Sequence, residues 1–158
     1  GSNNFYSNLP YYGTSVAIQK DGITVAGFVT NLISSLVTYK AFDEEIKQIS
    51  LIDLKEINIK EVKKTKIAIF ERAYKYPEIC EKLNENNIKF RTLGAVALSL
   101  SDTRNYEFVL YAGEIRIFDI AASMYICNDF FIHKTDKFLL ICKNKDKFEL
   151  IKEFIKEK

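Results

Sequence analysis

The stretch IAIFERAYKYPEICEKLNENN, residues 67–87, decides the fold class. Its first four residues are apolar and predict a short buried strand, and Pro77 then opens a helix on which Ile79 and Leu83 share a face. Proline suits the first turn of a helix because its φ is already helical and its missing N–H would have no partner there. A strand followed directly by a helix is the repeating unit of α/β folds.

The same alternation continues to the end of the chain. In the last predicted helix Phe148, Ile151 and Ile155 recur at helical spacing, so one apolar stripe is expected to pack inward while lysines and glutamates face water. Residues 66–158 are therefore predicted to form a carboxy-terminal α/β lobe. Its other predicted elements are strands at 88–91, 106–111 and 138–143 and helices at 94–100 and 119–127.

The sequence before residue 66 has a different pattern. Residues 14–20 place Val16 and Ile18 on one face, and residues 23–30 return as a second, apolar strand. Between them stands Asp21-Gly22, a pair typical of a type I′ hairpin turn. Residues 1–65 are predicted to supply the antiparallel strands of an amino-terminal α+β lobe, so the whole chain is α+β with an α/β second half. Further strands or short turns of this layer are predicted at 35–41 and 46–62.

Composition narrows the function classes. The 158 residues are 47% hydrophobic and 13% aromatic, enough to form a core. Lysine and arginine number 23 against 21 acidic residues, and the two signs are interleaved, so no broad positive field favours nucleic acid. No apolar run approaches the roughly 18 residues that span a bilayer, and no leader pattern is seen. We predict a soluble, cytoplasmic protein with a small-molecule or protein partner and no membrane contact.

The cysteines and the single histidine argue against a disulfide framework and a zinc site. Cys80, Cys127 and Cys142 are an odd number at wide spacings, which suits a reducing compartment. His133 stands among apolar neighbours and is predicted to fill a strand rather than to bind metal, because zinc sites need several soft ligands.

Most catalytic motifs are absent from the sequence. The six glycines are scattered, so no phosphate-cradling loop is formed, and a serine or cysteine triad would have to use His133. The lysines at 60–66 and 143–147 are mixed with acids; they form either a solvated face or phosphate contacts. The acidic trio at 43–45 is either an exposed turn or a cation ligand.

Asp119, in the run Phe118-Asp119-Ile120-Ala121-Ala122, has two interpretations. An aspartate just before an apolar stretch is typical of a helix N-cap, where it accepts a hydrogen bond from the first-turn amides. Alternatively, a carboxylate at the junction of a strand and a helix is rigidly aimed and suits a hard divalent metal.

Three segments in order make the chain resemble the inositol monophosphatase family. Gly1-Ser2-Asn3-Asn4-Phe5, followed by Leu9-Pro10-Tyr11-Tyr12 and Ser15-Val16-Ala17-Ile18, resembles its G-[ST]-x-N-F … P-[FY] … S-[IV]-[AG] run. The segment 91–100, RTLGAVALSL, resembles its R-[ST]-x-G-[ST]-A-A-x-x-L helix, and residues 118–122 resemble its W-D-x-A-A motif. The resemblance spans nearly the whole chain.

The resemblance implies a layered α-β-α-β-α sandwich and Mg²⁺-dependent hydrolysis of a phosphate monoester. Candidate substrates are inositol phosphates, fructose bisphosphate and adenosine 3′,5′-bisphosphate, and a homodimer is implied as well. Asp119 would be a metal ligand. Gly1 and Ser2 would bind the phosphate, and the Ser2 hydroxyl would act catalytically on the attacking water.

Departures from the family pattern shape the remaining expectations. The Asp-Pro-[Ile/Leu]-Asp stretch that precedes the Gly-Ser step in the family is not in this sequence, so we expect a sandwich lacking its amino-terminal part and little activity from the chain alone. Ala112 occupies the place of an acidic substrate contact, for which Glu114 or Arg116 is expected to substitute. The alternative function is a non-catalytic binding or scaffolding relative that has lost the metal site.

Overall fold

An antiparallel sheet, sheet A, forms from the first part of the chain in the computed structural model, which describes residues 1–60 and 62–156. Glu61, Glu157 and Lys158 lie outside the described residues. Glu61 belongs to the predicted segment 46–62 of the amino-terminal lobe, and the other two belong to the predicted carboxy-terminal lobe. The five strands pair in sequence order: β1 Gly13–Lys20, β2 Ile23–Asn31, β3 Leu36–Ala41, β4 Lys47–Ser50 and β5 Glu56–Ile57.

The predicted hairpin joins β1 to β2. Asp21 and Gly22 have φ of 52° and 78°, the two left-handed residues that a type I′ turn requires. Lys20 pairs directly with Ile23 on either side of the turn. The right-handed twist of the strands favours this turn, and Gly22 adopts its positive φ without a steric cost.

A mixed sheet, sheet B, forms from the second part of the chain. Its strand order is β7-β6-β8-β10-β9, with β6 parallel to β7 and β8 and with β10 antiparallel to β8 and β9. Its strands are β6 Ala68–Glu71, β7 Phe90–Arg91, β8 Val109–Ala112, β9 Phe131–Lys134 and β10 Phe138–Cys142. The helices are α1 Ser2–Tyr6, α2 Pro77–Glu85, α3 Val96–Ser101, α4 Ile117–Ile126 and α5 Lys145–Ile155.

The layers follow the order sheet A, α3 with α4, sheet B, α2 with α5. One core cluster lies between sheet B and the outer helices, and it contains the predicted stripe Phe148, Ile151 and Ile155. A second cluster lies around α3 and α4 and includes Val29 from sheet A and Leu139 from sheet B. The predicted α+β class and layered sandwich are confirmed, and the division into two lobes at residue 65 stays a prediction.

The N-cap interpretation of Asp119 is wrong. Helix α4 begins at Ile117, and its N-cap is Arg116, whose backbone is extended. The Asp119 amide donates to the Arg116 carbonyl at 3.0 Å, so Asp119 is the third helical residue. A carboxylate is still favourable there because the first turn is the positive end of the helix dipole.

Two short elements differ from the expectations. Strand β9 was not predicted, and it pairs with β10 from Lys134 opposite Leu139 to Phe131 opposite Cys142. His133 lies in β9, as predicted for a strand residue. Helix α1 was not predicted, since five polar and aromatic residues carry no helical periodicity. Within the described ranges no helix has both the length and the apolar character that crossing a bilayer requires.

Candidate functional site

A cleft of about 370 Å³ lies where α1, the end of β6, the turn before α3 and the start of α4 meet. Gly1, Ser2, Arg116 and Asp119 all line this cleft, although the two pairs stand at distant parts of the sequence. Glu114 is not among the lining residues, and its side chain is exposed. Tertiary structure therefore brings together four of the five residues singled out from the sequence.

The start of the chain is packed tightly against the rest of the cleft. Gly1 precedes α1, and its carbonyl accepts a hydrogen bond from the Phe5 amide at 3.0 Å. A Cβ on Gly1 would lie 2.8 Å from the Tyr12 Cβ and 3.2 Å from the Ala95 Cβ, so a larger residue would push α1 outward. Ser2 is exposed at the mouth of the cleft.

Asn4 connects α1 to the turn before α3. It is the buried residue of α1, and its Nδ2 donates to the carbonyl oxygens of Tyr11 and Leu93, both at 2.8 Å. Gly94 follows with φ of 88°, and a Cβ there would lie 2.7 Å from the Asn4 Oδ1. Two of the three sequence segments that suggested the family resemblance are thus in direct contact.

Glu71 organises the floor of the cleft, and sequence reasoning missed it. Its side chain is buried at the end of β6, where Oε2 accepts from the Gly94 amide at 2.9 Å and Oε1 accepts from the Ser99 hydroxyl at 2.6 Å. Oε1 also lies 3.3 Å from the Leu93 amide nitrogen, which donates to it. The available signal was a glutamate ending a run of four apolar residues, where a solvated charge is unexpected.

The hydrogen-bonded chain extends from Glu71 to Tyr11, two residues before the first strand of sheet A. The Tyr11 hydroxyl lies 3.0 Å from the Ser99 hydroxyl oxygen, so the path runs from Tyr11 through Ser99 to the carboxylate. Burial raises the pKa of Tyr11 well above its usual range, so the phenol stays protonated. This path fixes the turn at Gly94 relative to β6.

Asp119 is the cleft carboxylate that is more exposed than Glu71 and keeps one oxygen available for a ligand. Its Oδ2 accepts from the Arg116 Nε at 2.9 Å, and its side chain is 36% exposed. The hydrogen bond to Asp119 raises the pKa of Arg116 above its already high value. Among hydrogen bonds between described residues, Asp119 Oδ1 takes none, so that oxygen can accept from a substrate hydroxyl or bind a cation.

Arg72 is a cleft cation that the sequence did not single out. Its backbone is left-handed, with φ of 60°, and its guanidinium lies 5.1 Å from the centroid of the Tyr111 ring. The Tyr111 hydroxyl donates to the Glu114 carbonyl oxygen at 2.8 Å, and burial raises the pKa of Tyr111. Glu114 therefore contributes to this wall through its backbone rather than its carboxylate.

The residues of the cleft do not complete a Mg²⁺ site. Magnesium requires about six oxygen ligands in octahedral geometry, usually one or two carboxylates with waters and phosphate oxygens. Glu71 has its oxygens occupied by three donors, which leaves Asp119 as a single available carboxylate. Across residues 1–60 and 62–156 no group of three or more His, Cys, Asp or Glu side chains is placed to hold a metal.

The architecture is shared with solved phosphatase structures. No family model and no curated sequence matches the chain. The chain is similar to SuhB from Mycobacterium tuberculosis (19% identity, TM-score 0.73), to a hypothetical protein from Pyrococcus horikoshii with similarities to inositol-1 monophosphatase (22%, 0.76) and to an inositol monophosphatase–fructose 1,6-bisphosphatase (16%, 0.77). Each alignment covers 98% of this chain, and 69%, 66% and 67% of those chains.

These similarities show the general class of the fold, which is a layered α+β phosphatase fold. More narrowly, it is the inositol monophosphatase fold, and the predicted resemblance to that family is confirmed at the level of the fold. The chain spans about two thirds of the length of these solved structures.

Proposed function

We propose that this chain forms the ester-binding part of a Mg²⁺-dependent phosphomonoester hydrolase. The observation that carries the proposal is the convergence of Gly1, Ser2 and Asp119 on one cleft in an inositol monophosphatase fold. Candidate substrates are inositol phosphates, fructose bisphosphate and adenosine 3′,5′-bisphosphate. A solved protein of this fold is named for its action on the first two classes.

The roles we assign belong to side chains and backbone groups that line the cleft. The Gly1 nitrogen, the Ser2 backbone amide and the Ser2 hydroxyl bind phosphate oxygens, and the hydroxyl orients the attacking water. Asp119 Oδ1 accepts a hydrogen bond from a substrate hydroxyl and is the one ligand that the cleft offers to Mg²⁺. The described residues bring no group of three or more candidate ligands together, so no step is assigned through that ion.

Location and assembly are proposed from the cysteines and from the family resemblance. Cys80, Cys127 and Cys142 are all free thiols, which supports a reducing compartment such as the cytoplasm. A homodimer is proposed from the family resemblance, with a small-molecule phosphate ester as the other partner. Nucleic acid is not proposed, because the net charge of +2 provides no extended basic surface.

A second candidate is a binding or scaffolding protein that recognises a phosphate ester without hydrolysing it. The observation that favours it is the incomplete donor set around Asp119 in the described part of the chain. Both candidates predict ester binding in the same cleft, so turnover is the property that separates them.

The test combines binding and turnover. Amide NMR shifts are followed while inositol 1-phosphate, fructose 1,6-bisphosphate and adenosine 3′,5′-bisphosphate are added, and phosphate release is measured with and without Mg²⁺. We expect shifts at Ser2 and Gly94. Release that requires Mg²⁺ supports the hydrolase, and binding without release supports the scaffolding protein.

Asp119→Asn tests the assigned residue, and Asp146→Asn is its matched control. Both aspartates lie in the first turn of a helix, but Asp146 is in α5, away from the cleft. Where phosphate release requires Mg²⁺, we expect Asp119→Asn to lower it about a hundredfold or more while the fold is retained, and Asp146→Asn to leave it unchanged. No ester binding at all, or equal rates in the two variants, would remove the cleft from the mechanism.

A further inference from the structure

We propose that Arg72, which lines the cleft, and Lys75, which meets it beside Gly113 at the edge of the cleft, form a second anion subsite and select esters that carry two phosphate groups. The inference rests on the proposed function and specifies its substrate class. One phosphate would occupy the Gly1–Ser2 end, and the second anionic group would lie between the two cations.

Arg72 is a cation without an acid partner in the described part of the chain. Its side chain is half-buried and lines the cleft, yet no carboxylate among residues 1–60 and 62–156 forms an ion pair with it. The two cleft carboxylates have other partners: Glu71 accepts from Gly94 and Ser99, and Asp119 accepts from Arg116. A partly desolvated guanidinium therefore keeps its charge available for an anion.

The position of Arg72 is built into the fold rather than left to a mobile side chain. Its residue takes a left-handed φ of 60°, which a bulky residue seldom adopts, and its guanidinium stacks over Tyr111. Tyr111 is itself buried in β8. The ring and the unusual backbone together aim the cation at the cleft.

Gly113 provides the space in which the two cations meet. A Cβ at Gly113 would lie 2.9 Å from the Arg72 Nη1 and 3.5 Å from the Lys75 Nζ, so both groups border the same small volume. Gly113 also has φ of 121°, which other residues rarely adopt. A phosphate dianion beside Gly113 can therefore accept from both cations, and it offsets the repulsion between their like charges.

The experiment compares a bisphosphate with a monophosphate at equal ionic strength. Dissociation constants for fructose 1,6-bisphosphate and inositol 1-phosphate are measured by amide NMR titration for the parent chain, Arg72→Gln and Lys75→Gln. Arg91→Gln, which removes the same charge from an exposed position in β7, is the control. The Arg72 Nε–H resonance reports directly on contact with the second phosphate.

We expect Arg72→Gln to weaken bisphosphate binding about tenfold or more, Lys75→Gln to weaken it several-fold, and both to change monophosphate binding by less than about twofold. Arg91→Gln should change neither. Lys75 is exposed, so its variant tests the subsite even if Arg72→Gln alters the fold.

Three results would overturn the subsite. Equal losses for the two ligands would place Arg72 at the common phosphate instead, and unchanged bisphosphate binding in both variants would remove the pair from recognition. In each of those cases the proposed function survives, because the monophosphate still binds. Failure of the parent chain to bind either ligand would overturn the proposed function together with the subsite.

Discussion

Single side chains set the geometry of the cleft, and Glu71 shows how. A buried carboxylate is favourable only when donors replace its lost hydration, and here two backbone amides and the Ser99 hydroxyl do so. Because those amides belong to Leu93 and Gly94, the charge holds the turn before α3 against the end of β6. Local sequence cannot reveal this, since the donors lie more than twenty residues away from the acceptor.

Glu71→Gln should destabilise the fold by about 2 kcal/mol or more, because the new amide group presents N–H donors to a site made of donors. Glu107→Gln is the control: its carboxylate lies 3.9 Å from the Lys147 Nζ and is expected to matter by less than about 1 kcal/mol. Urea unfolding monitored by circular dichroism measures both. Similar losses in the two variants would contradict the role assigned to Glu71.

His133 should give the chain a small pH dependence of stability near neutrality. Its pKa is lowered from 6.5 by burial and by Lys152, partly offset by Glu149. The unfolded chain therefore binds the proton more tightly, so the free energy of unfolding should fall as pH drops below the unfolded pKa, until the folded form is also protonated.

Two measurements check this prediction. The imidazole resonances should titrate with a midpoint below 6.5 in the folded chain. His133 is the only histidine, so His133→Gln should flatten the stability profile as pH falls through and below 6.5. A midpoint at or above the ordinary value would reverse the sign and contradict the prediction.

At the scale of elements, glycines determine how closely β2 and α4 approach. A Cβ on Gly27 would lie 2.5 Å from the Ala122 carbonyl oxygen and 2.9 Å from the Ala122 Cα, both in the backbone of α4. The small residue in the helix and the glycine in the strand therefore fit together. Since Asp119 is in the first turn of α4, this contact also sets where the cleft carboxylate lies.

Gly27→Ala and Gly22→Ala are a test substitution and its control, because each adds one methyl group to a glycine of the β1–β2 hairpin. At Gly22 nothing lies within 4 Å of an added Cβ, so the change costs only the strain of φ at 78°, about 1 kcal/mol. At Gly27 the added methyl group must displace α4, and we expect a loss of about 2–3 kcal/mol with altered amide shifts around Asp119. Thermal unfolding and NMR spectra measure these effects. Equal losses would mean that α4 is not closely packed on β2.

At the scale of the whole molecule, the two sheets share one of the two cores. The cluster around α3 and α4 joins Val29 of sheet A to Ile69 and Leu139 of sheet B. The buried Lys40 of β3 adds a polar connection, with its Nζ 2.9 Å from the Asp129 Oδ2 beyond the end of α4. Neither sheet can separate without exposing this shared layer.

We therefore expect the chain to unfold in a single transition. Far-ultraviolet circular dichroism, which reports backbone structure, and near-ultraviolet signals from the tyrosines should give the same midpoint in urea. Amide hydrogen exchange in β2 and in β10 should converge on the same free energy. Two separated transitions would instead support independent lobes divided near residue 65.

The sequence by itself determined the secondary structure of most strands and most helices. Local signals were enough at Asp21-Gly22, at Pro77 and along the stripe of α5, because turn geometry, proline geometry and helical periodicity act over a few residues. Short pieces such as α1 and β9 were missed or misjudged, since a four- or five-residue segment carries too little periodicity.

Only the tertiary structure decided the cleft. The sequence suggested Gly1, Ser2 and Asp119 through a family resemblance, but the roles of Glu71 and Arg72 depend on contacts between distant segments. Hydrogen bonds to a buried carboxylate and the position of an unpaired cation are properties of three-dimensional packing. No periodicity along the chain encodes them, because their partners come from different layers of the fold.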